Sequence, residues 1–221
     1  MTASTRPDSA DNTTDRLQGI LDWAHVNSRW LGIAAAVVVV AAAGYWFYLR
    51  SNQIKAANAD RALMTAKQSL AAQNTALAEN DLQQILTRWP DTPAGGEAAL
   101  LLAQTDYETG KYAQGIAVIE RELNARGAGA LQSDLYSMLG AGYSQDGKLA
   151  EAAQNYEKAA QATPYATERA FQQAKAARAY DQAGNVKEAV RVWTTLAQSD
   201  ISGISAEAKL RLGELTAKPA S

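Results

Sequence analysis

The sequence contains no cysteine and only one histidine, His25, among its 221 residues. Without cysteine the chain cannot form disulfides, thiolate zinc sites or cysteine nucleophiles, and one histidine leaves little for a metal site or catalytic triad. The 21 Lys and Arg residues nearly balance the 23 Asp and Glu residues, so the net charge of −2 offers no basic surface for nucleic acid. No glycine-rich phosphate-binding loop is present. We therefore expect neither an enzyme nor a protein that binds a cofactor or a metal.

The apolar residues are concentrated in one run near the start of the chain, residues 30–49, which contains no charged side chain. As an α-helix these 20 residues extend roughly 30 Å, about the hydrocarbon thickness of a bilayer. Arg29 and Arg50 bracket the run. Aromatic residues, which favour the headgroup level, lie at both of its edges: Trp30, Tyr45, Trp46 and Tyr48. The run predicts a single transmembrane anchor.

Two other interpretations of this run are a buried core helix and a cleavable signal peptide. The length of the run and its bracketing arginines disfavour the core helix. A signal peptide would need a leader of 29 residues that carries four aspartates, and aromatic residues follow the alanine stretch at 41–43. An uncleaved signal anchor therefore fits best. The Lys and Arg residues on the two flanks do not decide its orientation.

The segment before the anchor, residues 1–29, is expected to be a cytoplasmic tail. Residues 1–14 are polar and lack an apolar period, which predicts disorder. In residues 15–24 the apolar side chains share one helical face, which is typical either of a short interfacial helix or of the cytosolic start of the anchor helix. We interpret His25 as a polar filler at the membrane interface rather than as a ligand.

The rest of the chain contains a repeat with a period of 37 residues. Gly110, Gly147 and Gly184 mark its three aligned copies. In each copy an apolar residue follows the glycine by two positions, a small residue by five and a large residue by nine: Tyr112, Leu149 and Val186; Gly115, Ala152 and Ala189; and Ile119, Tyr156 and Trp193. Three matches at one spacing indicate an internal repeat.

Each copy is predicted to be a helical hairpin. Apolar residues recur at helical spacing on both sides of the glycine, as at Tyr136, Leu139 and Tyr143 before Gly147. A glycine between two such runs is typical of a helix end at which the backbone needs positive φ. The small fifth residue lets the second helix pack closely on the first, and the large ninth residue fills the groove between neighbouring copies.

The middle copy resembles the tetratricopeptide repeat at eight signature positions: Tyr136, Leu139, Gly140, Tyr143, Ala152, Tyr156, Ala159 and Pro164. The other two copies depart from it, with Asp106 in place of tyrosine and Gly127 in place of proline in the first, and Gln173 in place of an aromatic residue in the third. The period is also three residues longer than the usual 34.

The same frame extends beyond the three copies in both directions. One step back it reaches Gln73, which predicts a degenerate first repeat whose first helix, about residues 52–72, continues from the anchor. Thr92 followed by Pro93 predicts the start of the next helix, and residues 205–215 predict a capping helix. The predicted fold is all-α, a single N-terminal transmembrane helix followed over residues 50–221 by a tetratricopeptide-repeat-like α-solenoid of about four repeats.

An N-terminal anchor followed by degenerate tetratricopeptide repeats resembles the YfgM-like family, the ancillary subunit of the bacterial SecYEG translocon. Two stretches carry the resemblance: GYWFYLRSNQIKAANADRAL at the junction after the anchor, and AYDQAGNVKEAVRVWTTLAQSD followed by SAEAKLRLGEL near the end. The resemblance implies a cytoplasmic N-terminus, one span of the inner membrane and a periplasmic repeat domain. It also implies association with the translocon and with a periplasmic chaperone such as the membrane-anchored prolyl isomerase PpiD.

The tetratricopeptide frame also implies which side chains line the concave protein-binding face, because that face is built from the first helix of each repeat. The expected residues are Gln104, Tyr107 and Glu108; Asp134, Ser137, Ala141 and Gln145; and Phe171, Arg178, Asp181 and Gln182. This set is mixed and polar and lacks a paired Lys/Arg clamp for a peptide carboxylate. It fits a folded partner or an extended segment better than a charged peptide tail, although solvated helix faces would look the same.

Two functions fit these features. The first is a membrane-tethered scaffold that binds a protein partner at the translocon exit. The second is a self-associating scaffold for envelope or cell-division machinery, because Gly32 and Ala36 in the span are small residues four apart that allow close helix pairing. Carboxylates such as Asp106 and Glu108 have no evident catalytic partner, so an enzyme is not expected.

Overall fold

The computed structural model describes Trp23, Val26 and residues 28–126 and 129–217. Within these ranges every regular element is an α-helix, which confirms the all-α prediction. The predicted disordered tail, the amphipathic stretch apart from Trp23, and His25 lie outside the described residues. The chain divides into two compact units between Ile54 and Lys55.

The described part of the chain forms nine helices. They are α1 (Ser28–Ala71), α2 (Thr75–Arg88), α3 (Pro93–Glu108), α4 (Tyr112–Arg126), α5 (Gln132–Gln145), α6 (Leu149–Ala162), α7 (Ala166–Gln182), α8 (Val186–Ala197) and α9 (Ser202–Ala217).

The first unit contains the part of α1 that carries the apolar run. This helix is long and apolar enough to cross a membrane. Large side chains along it are exposed, with 66% of Val38 and 66% of Trp46 accessible. A core helix would bury such side chains against the protein, so the buried-core interpretation is wrong for the described residues.

The second unit is a series of helical hairpins, as the repeat predicted. Its hairpins are the later part of α1 with α2, then α3 with α4, α5 with α6, and α7 with α8. From α2 onward, consecutive helices pack against one another, and α9 closes the series by packing on α8 and α7. The hydroxyl of Thr92 caps α3 by accepting a hydrogen bond from the Gly95 backbone N–H at 3.1 Å, with Pro93 in the first turn, as expected.

The repeat glycines end the first helix of each hairpin in the left-handed conformation. Gly110, Gly147 and Gly184 have φ of +76°, +79° and +75°, which confirms the prediction. At each turn the next residue's N–H donates to a carbonyl five residues earlier, a bond that requires this backbone. For Lys148 that bond, to Tyr143, is 2.8 Å long. Gln73 has φ of +59° at the equivalent turn of the first hairpin.

Gln73 therefore carries strain that the three glycines avoid. We expect Gln73→Gly to raise the free energy of unfolding by about 0.5–1 kcal/mol. A residue with a Cβ is destabilised by about 1–2 kcal/mol at this positive φ, and the larger conformational entropy of glycine in the unfolded chain offsets part of the gain. Gly147→Ala, where a Cβ would meet nothing within 4 Å, should lower the free energy of unfolding through backbone strain alone. Urea unfolding of both variants measures the effects, and a loss of stability in Gln73→Gly would contradict this account.

Packing between the helices follows the small and large positions of the repeat. The large residues Ile119, Tyr156 and Trp193 are 0%, 9% and 0% exposed. At the small position, a Cβ on Gly115 would lie 2.5 Å from the Tyr107 ring, so only glycine permits this approach of α4 to α3. The assignment of small and large positions is confirmed.

A tyrosine–glutamate hydrogen bond between neighbouring hairpins occurs twice with the 37-residue period. It was not predicted from the sequence. The Tyr143 hydroxyl donates to Glu120 Oε1 at 2.7 Å, and the Tyr180 hydroxyl donates to Glu157 Oε2 at 2.8 Å. The hydrogen bond to Glu120 raises the pKa of Tyr143 to about 12, and burial followed by the bond to Glu157 raises the pKa of Tyr180 to about 12. Each bond ties a first helix to the second helix of the preceding hairpin.

Asp106 takes the place of this tyrosine in α3, where it is only 4% exposed. Burial, with the nearby Glu79 carboxylate, raises the pKa of Asp106, and the Lys111 ammonium acts in the opposite direction. Lys111 Nζ is held by both oxygens of Glu79, at 2.6 and 2.8 Å. The hairpin with the atypical residue thus carries a buried acid beside an ion pair.

We expect Asp106→Asn to be more stable than the natural protein at neutral pH. A raised folded-state pKa means that the folded protein retains a proton that the unfolded chain releases, so the charged form opposes folding at neutral pH and the penalty disappears as pH falls through that pKa. The gain in urea midpoint should therefore shrink on acidification. The exposed-carboxylate variant Asp134→Asn is the control, and a less stable Asp106→Asn at pH 7.5 would refute the prediction.

Candidate protein-binding surface on the first helices

The eleven residues predicted to bind a partner lie on α3, α5 and α7, the first helices of three successive hairpins. We call their accessible side chains the first-helix face. Seven of the eleven are exposed: Gln104, Glu108, Asp134, Gln145, Phe171, Arg178 and Gln182. Three others are half-buried: Ser137, Ala141 and Asp181. Helix periodicity therefore places ten of the predicted residues at least partly within reach of solvent.

Tyr107 is the exception and requires a correction, because it is 4% exposed and belongs to the core. Its ring lies in the space left by two glycines: a Cβ on Gly115 would be 2.5 Å from the ring, and one on Gly142 would be 2.3 Å from the hydroxyl oxygen. The hydroxyl has no hydrogen-bond partner among the described residues. Burial is the first cause of the raised pKa of Tyr107. A partner protein therefore cannot contact this side chain.

The remaining residues do not share one groove. Gln104 and Glu108, joined by a 2.9 Å hydrogen bond from Nε2 to Oε1, line a cavity of about 420 Å³ with residues of α1 and the following turn. Asp134 and Phe171 line a cavity of about 440 Å³. A third cavity, of about 160 Å³, is lined in part by Arg178 and Gln182. The face is thus a series of separate depressions.

Arg178, the only cation in the predicted set, is already paired within the chain. Its Nε and Nη2 atoms donate to the Oε1 and Oε2 atoms of Glu207 in α9 at 2.7 and 2.6 Å. This two-point contact raises the pKa of Arg178 and lowers that of Glu207. A partner's carboxylate would have to displace Glu207. Glu207 was not predicted from the sequence, since only the packing of the last helix on α7 brings the two residues together.

The face offers hydrogen-bonding groups and shallow depressions rather than reactive groups. Lys175 Nζ donates to Ser137 Oγ at 3.2 Å and lies 5.6 Å from the centre of the Tyr156 ring, so it too is engaged within the chain. In the described part of the chain no group of three His, Cys, Asp or Glu residues is placed to hold a metal ion. The arrangement is suited to binding a surface or segment of another protein.

Comparisons with known proteins agree with this architecture. A family model described as a tetratricopeptide repeat-like domain matches residues 22–133. No curated protein sequence matches the chain.

Solved structures with a similar fold include those of two other proteins. A putative kinesin light chain of Podosopora anserina, with nearly identical tetratricopeptide-like repeats, superposes with a TM-score of 0.55 at 16% identity, covering 71% of this chain and 84% of that one. MamA of Desulfovibrio magneticus RS-1 superposes with a TM-score of 0.50 at 16% identity, covering 62% and 72%. At these identities the similarity establishes the fold alone.

Proposed function

Because this chain belongs to the tetratricopeptide repeat-like domain family, whose fold is that of a protein-interaction scaffold, we propose that it binds other proteins through the first-helix face while tethered to a membrane. The observation that carries the proposal is the recurrence of accessible polar side chains on three successive first helices, with cavities beside them. Such a surface presents several small contact sites to one partner.

The apolar part of α1 supports the tether. Its side chains are exposed over a length that suits a bilayer. We propose that residues 30–49 form a single span of a bacterial inner membrane, that residues 1–29 are cytoplasmic and that residues 50–221 form a periplasmic repeat domain. The orientation rests on the resemblance to the YfgM-like family.

The same resemblance identifies the proposed partners. We infer that the chain is an ancillary translocon subunit that links SecYEG to a periplasmic chaperone of the PpiD type. The junction after the anchor and the end of the repeat domain, the two stretches that resemble the family, support this assignment. The mixed, polar character of the first-helix face is compatible with a folded partner or an extended segment.

A self-associating scaffold is the second candidate. Gly32 and Ala36 lie one turn apart in α1, and a Cβ built on Gly32 meets nothing within 4 Å. A second copy of the helix could pack closely against this small-residue strip.

Site-specific photo-crosslinking in bacterial membranes tests the proposal. A photoreactive amino acid is placed at Gln104, Ser137 or Gln182 on the first-helix face, and at Gln154, which is exposed on the second helix α6, as the matched control. Protease access to the repeat domain is measured in spheroplasts. We expect cleavage from outside, with face-specific crosslinks to translocon subunits or to a periplasmic chaperone.

Other outcomes discriminate between the proposals. A repeat domain that stays protected in intact spheroplasts but is cut after lysis would contradict export. Crosslinks only between copies of the chain would favour the self-associating scaffold. Equal partner crosslinks from Gln154 would show that binding does not use the first-helix face.

A further inference from the structure

Two of the cavities in the second unit lie at equivalent places along the series of hairpins. Both lie where the start of one first helix meets the end of the preceding hairpin. The first, about 610 Å³, is lined from α1, the start of α3, the end of α4 and the start of α5. The second, about 440 Å³, is lined from the start of α5, the end of α6 and the start of α7. We call these the edge grooves.

The edge grooves adjoin one another. Ala130, which is exposed in the turn before α5, lines both. Residues one repeat of 37 positions apart occupy equivalent places in the two grooves: Glu97 and Asp134, Ala125 and Ala162, and Leu131 and Glu168. One extended chain could therefore occupy both grooves in succession.

The walls of both grooves are largely apolar. Ala94 and Leu135 contribute buried apolar surface to the first groove. In the second, the Tyr165 and Phe171 side chains are 73% and 51% exposed, which is unusual for aromatic residues next to a core. Aromatic and aliphatic side chains of a partner would lose water-exposed area on entering either groove.

The charged residues that line the grooves are all acidic, while two cations lie beside them: Lys67 is paired with Glu97, and Arg169 donates to the Thr163 carbonyl. The described lining contains five carboxylates and no Lys or Arg: Asp60, Asp91, Glu97, Asp134 and Glu168. Glu97 is neutralised by Lys67 at 2.5 Å, and Glu168 accepts a hydrogen bond from Gln172.

Three of the five carboxylates remain available. Asp60, Asp91 and Asp134 make no ion pair or side-chain hydrogen bond within the described chain. Apolar walls with uncompensated negative charge at the rim are complementary to a segment that carries apolar and basic side chains together.

We propose that the edge grooves bind an extended segment of a partner protein in which Phe or Leu side chains alternate with Lys or Arg. The first helices α3 and α5 are in contact, so successive grooves are about 10 Å apart, the usual distance between packed helices. An extended chain advances about 3.3–3.6 Å per residue, which separates the two apolar anchors by about three residues. This inference rests on the proposed scaffold function and specifies the chemistry of the partner.

A labelled peptide tests the inference with the full-length chain in zwitterionic nanodiscs. The probe is a twelve-residue fluorescein-labelled peptide with Phe at positions 5 and 8, Lys at positions 4, 7 and 9, and Gly or Ser elsewhere. Two matched peptides replace either the three Lys by Glu or the two Phe by Ser. Fluorescence anisotropy reports binding, and empty nanodiscs correct for lipid adsorption.

We expect the Lys/Phe peptide to bind and both matched peptides to bind at least tenfold more weakly. Ala130→Lys, which obstructs and adds a cation to both grooves, should weaken binding at least tenfold. Asp60→Asn with Asp134→Asn should weaken it about fivefold, because two exposed ion pairs are lost, and should flatten its salt dependence. Gln154→Lys, at an exposed position of α6 outside both the grooves and the first-helix face, should bind as the natural protein does.

The result has separate consequences for the two proposals. Equal binding of the Glu peptide, or unchanged binding to Ala130→Lys, would overturn the edge-groove inference. If crosslinks from Ser137 to a translocon subunit or chaperone were nevertheless present, the proposed scaffold function would still be supported, and only the edge-groove inference would be rejected. Groove-dependent peptide binding in a protein that never crosslinks to those partners would keep the inference and reject the translocon assignment.

Discussion

Trp193→Ala is expected to lower the free energy of unfolding of the repeat domain by about 3–5 kcal/mol, the usual cost of deleting a fully buried tryptophan. Trp193 is 0% exposed and lies in the core cluster that joins α7, α8 and α9. Removing the indole leaves a cavity between the last hairpin and the closing helix. A loss of this size is a large part of the about 5–15 kcal/mol that stabilises a typical domain.

Urea unfolding followed by circular dichroism measures this effect. Thr194→Ala, at the exposed neighbouring position, is the control and should change stability by less than about 0.5 kcal/mol. Trp193→Phe should lower the free energy of unfolding much less than Trp193→Ala does. Phenylalanine keeps an aromatic ring in the core, and the substitution removes an indole N–H that has no partner among the described residues. A loss below about 1 kcal/mol for Trp193→Ala would contradict the central place of this residue in the core.

Gly142→Ala should destabilise the protein by about 1–3 kcal/mol, although alanine is ordinarily the better helix former by about 1 kcal/mol. The new Cβ would lie 2.3 Å from the Tyr107 hydroxyl oxygen and 2.9 Å from Ile116 Cγ1. Both neighbours are buried, so they have little room to move. Gly213→Ala is the matched control in α9: its Cβ would meet nothing within 4 Å, so it should be neutral or stabilising.

A double-mutant cycle identifies the cause of the loss. Tyr107→Phe alone should be neutral or slightly stabilising, because it removes a buried hydroxyl that has no partner among the described residues. In that background Gly142→Ala should cost less, by about 1 kcal/mol, since the closest contact is gone. Additive effects in the two variants would show that the Tyr107 hydroxyl is not what resists the new methyl group.

Much of the fold could be predicted from the sequence because its determinants are local. The positive φ of Gly110, Gly147 and Gly184 follows from turn chemistry that glycine satisfies without steric cost. Frame continuity even placed the atypical Gln73 at the same turn. Apolar spacing predicted the hairpins, and the length of the apolar run predicted a helix able to cross a membrane.

The candidate site was predictable only in part. Helix periodicity predicts on which side of its helix a side chain lies, but not which other parts of the chain pack on that side. It placed Gln104 and Glu108 at the surface correctly. It failed at Tyr107, because the space that buries this ring is created by Gly115 and by Gly142, which is 35 residues away in the sequence. The binding roles of the face remain predictions.

The sequence by itself therefore determined the helical repeat, its period and the apolar segment, which depend on neighbouring residues and on patterns that recur along the chain. Only the tertiary structure decided which side chains remain available to a partner. Arg178 is paired with Glu207 because α9 packs on α7, and the edge grooves exist because α3, α5 and α7 meet the preceding helices there. Pairing and cavities are set by distances between residues that are remote in the sequence, which no local pattern encodes.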